Sequence, residues 1–232
     1  MTLDVKEIHC FYGTSHILHG LSMAVDQGDL FAVLGRNGVG KSTLLKSIAG
    51  VNPPRRGQIS FNKNDITQLK SHRRTQLGIS YVPQGREIIP DITVEENLLV
   101  ALLGVGKKAQ GIPSYVYDYF PALRDLAQRK GGVLSGGQQQ QLAIARALVQ
   151  EPKLLLMDEP TEGLQPSVVE EIDRIIKRIP SERGCGVLLV EQNLDFVRDI
   201  TQDFAILDTG RIVAQGKIAE LTDDIVRQHL SV

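Results

Sequence analysis

The sequence predicts an α/β fold in which helices cover both faces of a central sheet. Short apolar runs rich in β-branched residues alternate with helical patterns along much of the chain, which is typical of this class. Three largely apolar runs, residues 30–34, 153–157 and 186–190, predict buried strands. The first is followed by the glycine-rich stretch 35–40 and then by a helical pattern over residues 41–49, which ends at Gly50.

Further strands flank this core. Residues 59–61 and the stretch before Leu30 predict an antiparallel β edge. Residues 204–207 and 211–214 predict a hairpin, because the turn sequence Asp208-Thr209-Gly210 separates them. From about Ile218 the pattern indicates one or two short amphipathic helices.

Helical signals with few strand formers occupy residues 92–132. Thr93 and Glu96 have the spacing of a capping box for a helix that runs through Leu102. Prolines at 113 and 121 and paired glycines at 131–132 interrupt the rest of this region. We therefore expect one domain over residues 1–232, with a core formed by about 1–91 and 151–232 and a small α-helical insert at about 92–150.

Composition excludes several classes of protein. The 232 residues include 26 Lys and Arg against 27 Asp and Glu, and this formal net charge of −1 argues against a dedicated nucleic-acid binder. Two distant cysteines, Cys10 and Cys185, form neither a disulfide framework nor a zinc motif, which fits a reducing cytoplasm. No apolar stretch approaches the roughly 18 residues of a membrane span, and residues 1–10 lack a signal peptide's hydrophobic region. Any action at a membrane is expected from outside it.

Residues 35–42 carry a phosphate-binding motif. The segment Gly35-Arg36-Asn37-Gly38-Val39-Gly40-Lys41-Ser42 matches G-x-x-x-x-G-K-[ST] between a predicted strand and a predicted helix. Its glycines let backbone N–H groups converge on a polyphosphate, and the helix N-terminus adds the positive end of its dipole. We expect these residues and Thr43 to bind a nucleotide, with Lys41 on the β- and γ-phosphates and Ser42 on Mg²⁺. The sheet is thus predicted to be a P-loop NTPase core.

An acidic pair follows the second buried strand. Asp158 ends the apolar run at 154–157, where a carboxylate beside the phosphate loop would hold Mg²⁺. Glu159 comes one residue later, where it would orient or deprotonate an attacking water. The alternative is that Asp158-Glu159-Pro160 is only a solvated turn, an interpretation that the nearby phosphate loop disfavours.

A second motif is more discriminating. Residues 134–138 read Leu-Ser-Gly-Gly-Gln, and a strongly helical pattern follows over 139–149. Ser135 is a favourable N-cap, and Gly136, Gly137 and Gln138 expose backbone donors at a helix start, so a second anion site is predicted. With this motif the chain resembles the ABC-transporter ATPase family over essentially its whole length. The resemblance implies ATP as ligand and a dimer in which Ser135–Gln138 of one subunit close on the ATP at the partner's phosphate loop.

Two more positions match the family singly. Tyr12, in Phe11-Tyr12-Gly13, corresponds to the aromatic residue that stacks on adenine, unless it is a core residue of an edge strand. Gln84, in Tyr81-Val82-Pro83-Gln84, matches the Q-loop glutamine that contacts Mg²⁺ and the lytic water, unless it is an ordinary polar loop residue. The resemblance also implies that the region 85–97 grips a coupling helix of a membrane subunit.

Two positions depart from the family pattern. After Asp158-Glu159-Pro160 the family usually has the sequence S-A-L-D, whereas this chain has Glu162-Gly163-Leu164-Gln165 before Pro166. The contact that this segment makes across the dimer therefore loses its carboxylate. Gln192 occupies the place of the switch histidine and cannot carry a proton at neutral pH. Glu159 is therefore expected to act as base without help from an imidazole. Alternatively, Gln192 is a surface residue and the chain a weak ATPase.

These departures resemble one branch of the family. The segments V-E-Q-N at 190–193 and E-G-L-Q-P-S at 162–167 are similar to ATPase subunits of branched-chain amino acid and of urea or short-chain amide importers, and most similar to the urea type. The resemblance implies a second ATPase subunit, identical or different, two transmembrane permeases and, indirectly, a periplasmic solute-binding protein. It places the chain peripherally on the cytoplasmic face of the inner membrane, without nucleic acid.

Two other functions are alternatives to an importer subunit. A soluble ABC-type ATPase acting on nucleic acid or the ribosome predicts a long coiled-coil insert or two cassettes, and the 94 positions from Lys41 to Ser135 leave room for neither. A nucleotide-binding partner that scaffolds an active sibling and turns over slowly is the other alternative.

Overall fold

The computed structural model describes residues 3–106 and 111–230. Its strands are β1 (Leu3–Tyr12), β2 (Ser15–Val25), β3 (Leu30–Leu34), β4 (Arg56–Phe61), β5 (Asn64–Asp65), β6 (Ile79–Val82), β7 (Leu154–Asp158), β8 (Gly186–Glu191), β9 (Asp203–Asp208) and β10 (Arg211–Lys217). Its helices are α1 (Lys41–Ala49), α2 (Ser71–Gln76), α3 (Val94–Gly104), α4 (Ser114–Tyr119), α5 (Pro121–Asp125), α6 (Gly136–Leu148), α7 (Pro166–Arg183), α8 (Leu194–Ile200) and α9 (Asp223–His229). Single 3-10 turns lie at Gly131–Val133 and Ile218–Glu220.

A six-stranded sheet forms the centre, in the order β10-β9-β3-β8-β7-β6, and every pair except β9 and β10 is parallel. The register places Leu34 beside Glu191 and Asp158 beside Val190, so the carboxyl ends of β3, β7 and β8 lie at one edge. Loops that follow parallel strands meet at this edge, which is where ligands bind in open α/β sheets.

The strands predicted to form an antiparallel edge, residues 59–61 and the stretch before Leu30, do pair antiparallel with one another. They form a separate four-stranded sheet in the order β2-β1-β4-β5, and β10 is the antiparallel edge strand of the central sheet. Helix α1 explains the separation, because Leu44, Leu45 and Ile48 are fully buried in one apolar cluster with residues of both sheets. Burial of this helix on both sides holds the phosphate loop that precedes it.

Arg74 of α2 locks the other end of α1. Its side chain is fully buried, and its guanidinium donates to the carbonyl oxygens of Ser47 (2.7 Å), Ile48 (2.8 Å), Leu69 (2.9 Å) and Thr67 (2.8 Å). Orphan carbonyls at a helix end need such donors. Burial lowers the pKa of Arg74 to about 10, which leaves it charged at neutral pH.

The opposite face of the central sheet is covered by helices. Residues of α3, α6, α7 and α8 share a second apolar cluster with β3, β7, β8 and β9. The capping box predicted for α3 is present, since Thr93 Oγ1 accepts from the Glu96 N–H (3.1 Å) and Glu96 accepts from the Thr93 N–H (2.7 Å). The division into a core and an insert at 92–150 stays a prediction. Within residues 3–106 and 111–230, no helix has both the length and the apolar character to span a membrane.

Candidate active site

The phosphate loop joins β3 to α1 at the carboxyl edge of the central sheet. Gly38 and Gly40 have φ angles of 82° and 113°, where a side chain is strained. Gly35 is required for a different reason, because a Cβ there would lie 2.6 Å from the carbonyl oxygen of Leu207 and 2.9 Å from Val39. The glycines of the motif are therefore required by the backbone geometry of the loop itself, as well as by the need to leave space for a ligand.

Lys41 lies folded back into the loop. Its Nζ donates to the carbonyl oxygens of Gly35 (2.8 Å) and Arg36 (3.1 Å) and forms an ion pair with Glu159 Oε1 at 2.9 Å. The two side chains of this pair are 4% and 5% exposed, so both charges are buried and depend on one another. The loop lysine and the predicted base are thus in direct contact.

Asp158 is the last residue of β7, and its carboxylate accepts hydrogen bonds from two hydroxyl groups. Ser42 Oγ donates to its Oδ1 and the Tyr81 hydroxyl donates to its Oδ2, each at 3.0 Å. Burial raises the pKa of the Asp158 carboxyl above its ordinary range, against the effect of these two hydrogen bonds. Asp158 and Ser42 were both predicted at the Mg²⁺ site, whereas Tyr81 carries no distinctive sequence pattern and was not predicted.

Two glutamine amides converge on the carboxylate of Glu159. Gln84 Nε2 lies 3.2 Å from Glu159 Oε2 and 2.8 Å from Glu162 Oε2. Gln192 Nε2 lies 3.2 Å from Glu159 Oε1 and 2.6 Å from Asn37 Oδ1. The structure therefore brings Gln84 and Gln192 to the acidic pair from two different loops, and each bond to a carboxylate is a charge-assisted one.

An open cleft of about 410 Å³ lies beside these groups. Its lining residues are Ile17, Asn37, Gly38, Gly40, Lys41, Ser42, Thr43, Gln84 and Glu159. Arg36 and Val39 belong to the loop but do not line the cleft. Tyr12 also stands outside it, at the end of β1, and its 47% exposure rules out the core residue that was the alternative for this position.

Ser135–Gln138 form the start of α6. Ser135 Oγ accepts from the Gln138 N–H (3.3 Å), and Gln138 Oε1 accepts from the Ser135 N–H (3.0 Å), a second capping box. None of these four residues lines the cleft. A Cβ at Gly136 would lie 3.1 Å from the Arg86 guanidinium, and one at Gly137 2.8 Å from Val168. Within one chain, the second motif stays apart from the phosphate loop.

Glu191 is a buried carboxylate that was not predicted from the sequence. Its Oε1 accepts from the N–H (3.1 Å) and the hydroxyl (2.7 Å) of Thr161, and its Oε2 accepts from the Gln192 N–H (3.1 Å). Burial raises the pKa of this group. It joins the turn after β7 to the loop after β8, and so fixes Glu159 relative to Gln192. Its position directly after an apolar run, like that of Asp158, was the available signal.

Two residues of the segment after Gln84 have strained backbone. Arg86 and Glu87 have φ angles of 72° and 46°, and such backbone in residues with a Cβ persists only where its surroundings impose it. Arg146 of α6 supplies one restraint by donating to the Glu87 carbonyl oxygen at 2.6 Å. A second open groove of about 410 Å³ lies here, between α2, β6, α3 and α6. The segment that follows Gln84 thus contacts α6 directly and lies beside the groove between α2, α3 and α6.

Comparisons with known proteins show what the chain as a whole is similar to. Residues 18–162 match the family described as ABC transporter. A probable branched-chain amino acid transport ATP-binding protein, LivF, of Archaeoglobus fulgidus is 40% identical over 95% of this chain and 94% of its own. The high-affinity branched-chain amino acid transport ATP-binding protein BraG of Pseudomonas aeruginosa is 36% identical over 91% of each.

One solved structure is especially informative. It is a dimeric ATP-binding cassette in a post-hydrolysis state bound to ADP and Pi, 25% identical, with a TM-score of 0.84 over 93% of this chain and 98% of its own. The family match covers more than half of the residues and the relatives align along nearly the whole chain. This chain therefore belongs to the ABC transporter family, as an ATP-binding subunit.

Proposed function

We propose that this chain binds and hydrolyses ATP to power an importer of amino acids or of urea and short-chain amides. The observation that carries the proposal is the convergence of Lys41, Gln84 and Gln192 on the carboxylate of Glu159, beside the phosphate loop. These groups arrive from the loops after β3, β6, β7 and β8, and a structural role alone does not require them to converge. Phosphoryl transfer requires mainly such positioned charge.

The residues have separate roles in this proposal. The backbone of residues 35–43 cradles the phosphates, with Lys41 released from Glu159 to neutralise them. Glu159 accepts the proton of the attacking water, since its carboxylate is buried and already oriented by two amides. Gln192 donates a hydrogen bond toward the γ-phosphate but moves no proton. Tyr12 stacks on adenine from its exposed place at the end of β1.

The donor set fits Mg²⁺. Among the described residues no group of three or more His, Cys, Asp or Glu side chains is placed to hold a metal. Mg²⁺ in nucleotide sites commonly takes one or two protein oxygens besides the phosphates. Asp158 and Ser42, in contact at 3.0 Å beside the loop, supply such oxygens, and the Gln84 amide oxygen is a third. Bound there, the ion would neutralise charge that develops on the β- and γ-phosphates.

A second ATPase subunit, whether a copy of this chain or a different one, completes each site. The separation of Ser135–Gln138 from the cleft of their own chain supports this, since donors at a helix start are useful only where an anion lies. The dimeric state of the similar cassette supports it too. ATP held between two chains stabilises the closed dimer, and hydrolysis removes that stabilisation.

The remaining partners are two transmembrane permeases and, through them, a periplasmic solute-binding protein. The groove between α3 and α6 is the surface proposed for the permease, because Val100 and Leu103 at α3 are 45% and 57% exposed and the groove adjoins Gln84. The chain would then act on the cytoplasmic face of the inner membrane as a peripheral subunit. Nucleic acid has no place in this assembly.

Two solute classes are supported by different observations. The names of LivF and BraG support branched-chain amino acids. The E-G-L-Q-P-S segment at 162–167 supports urea or a short-chain amide. The test is purification of the membrane complex at native levels, identification of the permeases and soluble receptor, and measurement of solute-stimulated ATPase activity.

The expected result is stimulation by one solute class, lost when Lys41→Ala is introduced in this subunit. A complex that binds ATP but keeps full single-site turnover with Lys41→Ala would indicate a scaffolding subunit instead. No co-purifying permease would contradict the importer assignment.

A further inference from the structure

The amide of Gln84 has two carboxylate acceptors and not one. Its Nε2 carries two N–H donors, and these face Glu162 Oε2 at 2.8 Å and Glu159 Oε2 at 3.2 Å. The shorter bond goes to Glu162, the first residue of the segment 162–165 in which this chain departs from the usual family sequence. Both bonds are to charged acceptors and are therefore stronger than those between neutral groups.

This arrangement determines which way the amide points. With the NH₂ group against two carboxylates, Oε1 must point to the opposite side, and within the described part of the chain it has no protein partner. The reverse orientation would place the amide oxygen against two negatively charged oxygens. Glu159 alone would restrain the amide less, because its Oε1 is already committed to Lys41 and Gln192 and its Oε2 makes only the longer bond.

The backbone of Glu162 is rigid enough for a positioning task. The Glu162 N–H donates to the Glu159 carbonyl oxygen at 3.2 Å, which closes a turn after β7. Thr161, inside that turn, is held through both its N–H and its hydroxyl by the buried Glu191. The side chain of Glu162 is exposed, but its backbone is therefore held in place by hydrogen bonds to residues at the ends of β7 and β8.

We propose that Glu162 is a positioning residue, which holds the Gln84 amide with its oxygen available to the nucleotide-bound metal. The inference rests on the proposed function for its consequence in catalysis, but the orientation of the amide is a property of the nucleotide-free chain. It assigns a use to the departure at position 162: the carboxylate acts through Gln84 within its own subunit.

The first test measures the Mg²⁺ dependence of ATPase activity in the assembled transporter at saturating ATP. Glu162→Ala is expected to raise the half-saturating Mg²⁺ concentration about 3- to 10-fold, the effect of one hydrogen bond, while the KM for ATP at excess Mg²⁺ changes less than about twofold. Glu162→Gln, which keeps an acceptor oxygen, is expected to recover part of the loss. Glu170→Ala, an exposed glutamate of α7, is the matched control and should match wild type.

A double-mutant cycle decides whether Glu162 acts through Gln84. In a Gln84→Ala background, Glu162→Ala should have no further effect on Mg²⁺ dependence. An equal effect in both backgrounds, or an unchanged Mg²⁺ dependence in the single variant, would overturn the proposal.

The second test needs no nucleotide. The side-chain amide of Gln84, observed by ¹H–¹⁵N NMR in the isolated 25.5 kDa chain, should show NH₂ proton resonances displaced from those of a solvent-exposed glutamine amide, both in wild type and in Glu170→Ala. In Glu162→Ala these resonances should move toward the positions of a solvent-exposed glutamine amide. Unchanged resonances would refute the positioning role even if the transporter is active. Conversely, the Gln84 resonances could shift in Glu162→Ala while the wild-type transporter has no Mg²⁺-dependent ATPase activity. That result would refute only the proposed function.

Discussion

The ion pair between Lys41 and Glu159 predicts that Glu159, the proposed base, opposes the binding of ATP. Nζ and Oε1 are 2.9 Å apart and both side chains are buried. ATP must separate them before Lys41 can reach phosphate, and Glu159 is then left near a triphosphate of like charge. Glu159→Gln removes the charge with little change of shape, so we expect this variant to bind ATP more tightly while hydrolysing it more slowly.

The size of the effect follows from the geometry. Two unit charges at 2.9 Å attract by about 6 kcal/mol at an effective dielectric of about 20. Most of this attraction offsets the cost of removing the two charges from water. The net contribution of a hydrogen bond between charged groups is about 1.5–3 kcal/mol. Lys41 keeps its bonds to the carbonyl oxygens of Gly35 and Arg36 in the variant, which limits other losses. Tighter binding by roughly 10- to 100-fold is therefore expected, at about 1.4 kcal/mol per tenfold.

Calorimetric titration of the isolated chain with ATP and EDTA measures this affinity without hydrolysis. Glu162→Gln is the matched control, because it removes a carboxylate near Glu159 that does not contact Lys41, and its ATP affinity should change less than about threefold. If Glu159→Gln binds ATP no more tightly than wild type does, the ion pair is not what the nucleotide must break.

Three other substitutions have distinct expected outcomes. Burial raises the pKa of Asp158, so the folded chain keeps a proton that the unfolded chain loses above the ordinary value of 3.8. In urea unfolding without divalent cations, wild type should therefore lose stability relative to Asp158→Asn as the pH rises above that value. Arg74→Met should lower the free energy of unfolding by about 3–5 kcal/mol, because it leaves four buried carbonyl oxygens without their donor. The melting temperature should then fall by roughly 6–20 °C. Arg73→Met, at the exposed neighbouring position, should change the melting temperature little. Gly35→Ala should lower stability more than Gly38→Ala, since a Cβ at 35 would lie 2.6 Å from the Leu207 carbonyl oxygen, whereas a Cβ at Gly38 meets nothing within 4 Å and is disfavoured only by the φ of 82°, at about 1–2 kcal/mol. Equal effects of the two glycine variants in thermal unfolding would contradict the steric explanation.

The part of the fold around the phosphate loop was predictable because its signals are local. β3 and α1 have the bounds expected from the sequence, since a glycine-rich loop separates a short apolar run from a helical pattern. The helix α7 was not predicted: Pro180 lies inside it, and a proline ordinarily indicates a helix end. The antiparallel pairing of β1, β2 and β4 was predicted, but not its separation from the central sheet, because that separation depends on contacts distant in sequence.

The candidate site divides in the same way. Lys41, Ser42, Asp158 and Glu159 belong to short motifs whose spacing implies their chemistry. Tyr81 and Glu191 lack such spacing and act only through burial and through partners that the fold brings near. The bond between Gln84 and Glu162 joins two loops 78 positions apart, and no local pattern indicates it. The roles of all these residues stay predictions until the variants are measured.

The most direct test of a site shared between two chains is ATP-dependent crosslinking in the purified complex. Ser135→Cys in this subunit would be paired with a cysteine in the phosphate loop of the facing ATPase subunit, at Asn37 if that subunit is a second copy. Both native cysteines are buried and do not compete. We expect a disulfide between subunits that forms with ATP and Mg²⁺ and not without them, and none from a control cysteine at Leu77. No crosslink at any nucleotide concentration, or the same yield without ATP, would contradict the shared site.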